Sequence, residues 1–212
     1  MNELMRPLID AILAGDHERS RAIAIELRNH GYSVEDVVRQ GIQPSMEALD
    51  NKCTVEQFNL LEIMLSGRAV SAVTRELFPT PNDPPDPKAT IVVASLEGDI
   101  HDIGKNILKM VLIGHRYKVI DCGKNVPVET ILSAVKAADA QALCVSGLIT
   151  SVIPKVRTLR SQLDAMGLKD VRLLAGGAAL KQSNAELLKV DFVGQTAFDG
   201  TAYLNGFWGD AK

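Results

Sequence analysis

The sequence predicts a two-domain protein of α plus α/β class: a four-helix bundle (residues 1–78), a Pro-rich linker (79–88) and a doubly wound α/β domain (89–212). Three observations predict it. Up to residue 78 the apolar residues recur at helical spacing. The stretch "FPTPNDPPDPK" then sets five prolines between Pro79 and Pro87, which forbid continued helix and favour an extended connector. Beyond it, short runs rich in β-branched residues alternate with helix-length segments, the pattern of a parallel sheet covered on both faces.

Each element follows in order. Leu4, Leu8, Ile12 and Leu13 make the first apolar stripe, and Ala22, Ile23 and Leu27 a second that stops at His30-Gly31, where glycine suits a helix C-terminus. Ser33 is placed to cap a third helix carrying Val34, Val37, Val38, Ile42, Met46 and Leu49. A fourth starts at Thr54, with Gln57 in the capping-box arrangement, and its stripe runs Phe58, Leu61, Leu65, Ala69, Val73, Leu77. Such helices joined by short turns bury their stripes as a bundle. After the linker, "TIVVAS", "YKVIDCG", "ALCVSGL", "VRLLAGG" and "VDFVG" are the strands, separated by helical segments at roughly 104–115, 128–138, 151–166, 179–189 and 197–207. The whole reads as a flavodoxin-like (Rossmann-like) five-stranded parallel sheet. Sheets of this kind bind ligands at the carboxyl ends of the strands, where strand order reverses.

Composition narrows the function classes. With 212 residues, 46% of them apolar, the chain can bury a sizeable core. The net charge of −3 divides into 8 Lys and Arg against 12 Asp and Glu in residues 1–78, and 14 against 12 in residues 89–212. Neither half has the dense basic surface of a nucleic-acid binder, and nine aromatics are too few for a base-stacking platform. The N-terminus mixes acids among its apolar residues, unlike a secretory signal, and no apolar stretch is long enough to span a bilayer. Cys53, Cys122 and Cys144 show no paired spacing, so a protein of the reducing cytoplasm, without disulfides, is expected.

The chemistry concentrates in "EGDIHDIGKNIL", residues 97–108, directly after the first strand. A phosphate loop fails two requirements there: five residues instead of four separate Gly98 from Gly104-Lys105, and Asn106 stands where a Ser or Thr would hold magnesium. The dinucleotide fingerprint GxGxxG is absent as well. Two readings stay open on the residues alone. In one, Asp99 and His101 form a surface hydrogen bond that caps the next helix. In the other, His101 ligates a metal and Asp99, two residues away, holds the ring nitrogen that faces away from it. Zinc would want three or four protein ligands, and only Asp102 lies near. A single histidine suffices when the metal brings its own equatorial ligands.

Downstream residues connect this loop to a family. Asp99-Ile100-His101-Asp102-Ile103-Gly104 is followed after 41 residues by Ser146-Gly147-Leu148, and after 27 more by Gly176-Gly177. In this DxHxxG, SxL, GG register the chain resembles the corrinoid-binding (cobalamin-binding) proteins. The likeness is to the methyl carriers of methanol, methylamine and methoxyarene methyltransferase systems and to the cobalamin-binding module of methionine synthase. "DCGKNVPVE", with Val126, also looks like the family's turn after the second strand, and the carriers set a four-helix bundle ahead of the corrinoid domain.

The resemblance implies a cobalamin or related corrinoid bound base-off, with His101 as lower axial ligand of cobalt and Asp99 bonded to its other nitrogen. Gly104, Gly176 and Gly177 would let the displaced nucleotide tail approach the backbone, with Val126, Ser146, Leu148 and Thr150 beside the site. Two departures stand out. The family often has a hydroxyl beyond SxL that completes a relay, whereas Val152 stands at that place, after Thr150 and Ser151. Relatives commonly read YFLPE in the bundle, where this chain reads Phe58-Asn59-Leu60-Leu61-Glu62. Phe58, Leu61 and Leu65 are candidates to shield the upper cobalt face, although their helical spacing favours bundle core, and the two roles are compatible.

The implied activity is a methyl shuttle in one-carbon metabolism, including O-demethylation, and not a self-sufficient enzyme. The cobalt would accept a methyl group from a donor-specific methyltransferase and yield it to an acceptor methyltransferase using tetrahydrofolate or a thiol cofactor. A reductive activase is a further expected partner, and a homodimer a further expected state. The competing class is a cobalamin-dependent sensor or transcriptional regulator. Regulators commonly carry a tryptophan in the bundle, whereas the one tryptophan here is Trp208. A radical mutase small subunit is disfavoured by the bundle.

Overall fold

A computed structural model describes residues 4–42, 44–46, 48–49, 59–77 and 86–209. The chain divides into two compact units, Met1–Pro85 with Met110–Arg116, and Asp86–Lys109 with Tyr117–Lys212.

The first unit is helical. α1 (Arg6–Leu13) has Pro7 in its first turn, where a missing N–H costs nothing, and buries Leu8, Ile9, Ala11 and Ile12. α2 (His17–Asn29) is capped by Asp16, whose carboxylate accepts the Arg19 N–H at 3.0 Å. It ends at His30, and Gly31 turns the chain at φ +88°. Its buried face is Ser20, Ala24 and Leu27; Ala22, expected in the stripe, is exposed. Ser33 caps α3 (Val34–Val37) as expected, exchanging bonds with Asp36, and the helix then loosens into a π turn at Val38–Ile42. The expected start of the fourth helix at Thr54, and Phe58, lie outside the described residues. α4 (Leu60–Leu77) is capped by Asn59, which accepts the N–H groups of Leu61 and Glu62. It buries Ala69, Val70, Val73 and Leu77, but Leu61 is 64% exposed and Leu65 38% exposed, so the first part of the expected core stripe is not core.

The second unit is the expected parallel sheet. Its strands are β1 (Thr90–Ser95), β2 (Lys118–Asp121), β3 (Ala142–Ser146), β4 (Arg172–Gly176) and β5 (Phe192–Gly194), in the order β2-β1-β3-β4-β5. All four pairings are parallel. The connecting helices are α5 (Ile103–Gly114), α6 (Val128–Ala137), α7 (Ile153–Ala165) and the short α8 (Ala185–Leu188), with α9 (Ala197–Trp208) last. One sheet face packs Val92, Leu143, Val145 and Leu173 against Ile131, Val135, Val156 and Leu159 of α6 and α7. Each such side chain contributes about 1.5–3 kcal/mol by leaving water. The single helix expected over 179–189 is instead a 3-10 turn at Leu180–Gln182 and then α8. Ser183 and Asn184 are extended between them, because Asn184 turns its side chain to cap α8 through the Leu187 N–H. Among the described residues no helix is long and apolar enough to cross a membrane.

This order has β1 and β3 side by side while their chains leave toward opposite faces, so the sheet opens a crevice at their carboxyl ends. A row of small residues lies along that edge: Ser95 pairs with Ser146, Ser146 with Gly176, and Gly176 with Gly194.

Candidate functional site

β1 ends at Ser95, and the chain then runs without helix or strand ladder, apart from a single bridge at Leu96 to Val126, until α5 begins at Ile103. Gly98 takes φ +97°, a conformation glycine adopts at little cost, and turns Asp99 inward. Asp99 is fully buried. Its Oδ1 accepts both the backbone N–H of His101 at 2.9 Å and the ring Nδ1–H at 2.7 Å, and its Oδ2 accepts the backbone N–H of Leu148. Burial pushes the Asp99 carboxyl up, but the N–H groups of Leu148 and His101 and the His101 ring outweigh it and hold the carboxyl below its ordinary value. An ionised carboxylate only accepts, so Nδ1 donates the proton in this bond and Nε2, the other ring nitrogen, faces away from Asp99. The His101 side chain is half exposed and Nε2 has no partner among the described residues. The arrangement is a basic, oriented nitrogen presented at the edge where such sheets bind ligands.

The other expected residues gather on the same edge. Ser146 closes β3, Leu148 is 44% exposed beyond it, and Thr150 is exposed at the start of a 3-10 turn. Gly177 is required by the fold, since it sits at φ +102° and a Cβ there would lie 2.6 Å from the Gly147 carbonyl oxygen. Gly104 and Gly176 are not. A Cβ at Gly104 would meet nothing nearer than the Ser146 hydroxyl at 3.8 Å, and one at Gly176 nothing nearer than the Gly194 carbonyl at 3.6 Å. Val126 is buried in the core, and its main chain straps the loop through bonds to Ser95 and Glu97. Leu61 and Leu65 belong to the other unit.

Val152 answers the relay question. Its side chain is fully buried among Leu180 and the core, and its Cγ2 would lie 2.6 Å from a Cβ on Gly147. The second oxygen of Asp99 is held by the Leu148 amide.

Three contributors have no motif to announce them. Ser95, fully buried, donates its hydroxyl to the His101 carbonyl at 2.9 Å. Asn125 donates its N–H to the Asp99 carbonyl at 3.0 Å and accepts the Gly98 N–H on Oδ1 at 2.8 Å. Lys105, nearly buried on α5, reaches Asp121 at the end of β2 at 2.6 Å, and Lys109 joins at 3.1 Å. "GKN" after a strand was legible as a turn, but not the partners it would find.

Geometry fits a corrinoid better than a bare ion. Among the described residues no group of three or more His, Cys, Asp or Glu converges to hold a metal. One oriented imidazole suits a metal that brings its own plane, and Gly104 and Gly176, empty of side chains without a packing reason, suit a group that must approach the backbone.

The fold and the site thus define a doubly wound domain with a single-histidine edge site. The chain belongs to the B12 binding domain family, whose models match residues 89–202 and, in the helical unit, 4–77. Its cofactor is cobalamin or a related corrinoid, as the signature led us to expect. The trimethylamine corrinoid protein of Methanosarcina barkeri is 26% identical over 204 residues, 94% of each chain. A cobalamin-binding protein of Desulfitobacterium hafniense DCB-2 shares the fold at TM-score 0.78 and 22% identity, over 97% of this chain and 98% of that one. The methanol:cobalamin methyltransferase complex MtaBC of Methanosarcina barkeri does so at TM-score 0.82 and 23% identity, over 100% of this chain and 81% of that chain.

Proposed function

We propose that this protein is the methyl-carrying corrinoid subunit of a multi-component methyltransferase system, with the corrinoid held base-off and His101 as the lower axial ligand of cobalt. The Asp99–His101 pair carries the reading, because it ties up Nδ1 and turns Nε2 outward at the ligand-binding edge of a B12-binding domain. When bound, the corrinoid supplies the cobalt centre that takes up and gives away the methyl group. The chain's own residues do the rest. Asp99 keeps the proton on Nδ1 and raises the basicity of Nε2; Gly104, Ser146, Leu148, Thr150, Gly176 and Gly177 form the slot for the nucleotide tail. Phe58, Leu61 and Leu65 are assigned to shield the upper face, a role that the exposure of Leu61 and Leu65 supports better than a core role.

The bundle (1–78), linker (79–88) and corrinoid domain (89–212) are the working boundaries. The trimethylamine corrinoid relative and the methanol:cobalamin methyltransferase complex favour a donor-specific methyltransferase and an acceptor methyltransferase as partners in the cytoplasm, with a reductive activase to restore the reduced metal. Reconstitution with hydroxocobalamin and reduction to Co(II) tests the ligand. Electron paramagnetic resonance should show imidazole nitrogen hyperfine splitting that vanishes in His101→Ala; its persistence there overturns the assignment. Methylation of the reduced protein by cognate methyltransferases with methylamines, methanol or methoxyarenes then identifies the donor.

A further inference from the structure

His101 and Asp99 lie in neither helix nor strand, so no ladder of backbone bonds fixes them. Besides the Leu148 amide on the Asp99 carboxylate and the Leu96 carbonyl that accepts the Asp99 N–H, two residues outside the motif bond their main chain. The Ser95 hydroxyl, with no exposed surface, donates to the His101 carbonyl at 2.9 Å. Asn125 bonds the turn that carries Asp99 twice: its backbone N–H donates to the Asp99 carbonyl at 3.0 Å and its side-chain Oδ1 accepts the Gly98 N–H at 2.8 Å. Asn125 itself sits at φ +55°, a left-handed conformation that asparagine tolerates better than most residues. Neither contact is made to the imidazole ring or the carboxylate. Both act on the main chain that carries them.

We propose that Ser95 and Asn125 are positioning residues for the axial ligand, Ser95 by fixing the peptide of His101 and the Asn125 side chain by holding the Gly98 turn that carries Asp99. The inference rests on His101 being the cobalt ligand. Without the Ser95 hydroxyl the His101 carbonyl loses its donor and the peptide can turn toward water, carrying the ring with it. Without the Asn125 oxygen the Gly98 N–H is released, and glycine offers no resistance to rotation of the turn.

The test compares Ser95→Ala, Ser95→Thr, Asn125→Ala and Asn125→Asp, the second of each pair restoring the hydroxyl or the acceptor oxygen. Each is titrated with hydroxocobalamin, reduced to Co(II) and examined for imidazole splitting. Each apoprotein is also examined by 15N resonance of the His101 ring, which reports the tautomer with no cofactor present. The alanine variants should lose affinity on the order of 10-fold, as outer partners of metal ligands do, lose splitting, and mix the two tautomers. The threonine and aspartate variants should recover all three. Wild-type splitting, affinity and tautomer in both alanine variants overturn the proposal, as does loss without rescue. If circular dichroism shows Ser95→Ala unfolded, the Asn125 pair decides alone. If His101→Ala keeps its splitting, the ligand reading falls, and the apoprotein tautomers still judge the positioning roles.

Discussion

Asp99 has N–H donors on both oxygens, from His101 on one and Leu148 on the other. A backbone amide holds a carboxylate as firmly as a hydroxyl does, but it has no second proton site through which to pass a charge onward. In this chain the donor on the second oxygen of Asp99 is the Leu148 amide. The Val152 side chain packs at Gly147 within the buried core. Val152→Thr should destabilise the protein by about 1–3 kcal/mol through burial of a hydroxyl, and leave the His101 tautomer as it is. Denaturant unfolding measures the first and ring 15N shifts the second; a changed tautomer would show that a hydroxyl here does reach Asp99. His101 and Asp99 were legible in the sequence because a spacing of two is local. Ser95 was not, since a serine ending a buried strand looks the same whether or not a loop folds back onto its hydroxyl.

Among the elements, α5 and the end of β2 are joined by Asp121, which accepts from Lys105, Lys109 and the Gly123 N–H. Burial pushes the Asp121 carboxyl up, yet Lys105, the Gly123 N–H and Lys109 outweigh it and hold it below the ordinary carboxylate range. A depressed carboxyl adds stability that is present in full above its unfolded value near 3.9 and is lost as pH falls through the folded value. Below about pH 4 the unfolded chain binds the extra proton, so the unfolding free energy should fall by up to about 1.4 kcal/mol per pH unit from this group. Asp121→Asn should flatten that acid limb in denaturant titrations at stepped pH; an unchanged slope would remove Asp121 as its source. Local chemistry gave the caps at Ser33 and the stop at His30-Gly31. The break between Gln182 and Ala185 escaped periodicity because apolar spacing persists across it while Asn184 starts a new helix.

For the molecule as a whole, a ligand that binds only the folded state stabilises it by about 2.7 kcal/mol at 100 times its dissociation constant. At about 2–4 °C per kcal/mol for a chain of this size, hydroxocobalamin should raise Tm by several degrees. Gly104→Ala should leave the apoprotein Tm close to wild type, since a Cβ there meets only Ser146 at 3.8 Å, and should diminish the shift. An undiminished shift in that variant would exclude Gly104 from the slot. The sequence by itself determined the helical and parallel-sheet halves, because periodicity is a property of the chain, and its motif register carried the resemblance that implied a corrinoid. Only the tertiary structure decided that Leu148, 49 residues from Asp99, supplies its last hydrogen bond, that Val152 turns into the core, and that Leu61 and Leu65 stay exposed. Every residue carries the same N–H, so an amide that completes a site leaves no mark in the sequence, and the direction of a side chain is set by what packs around it.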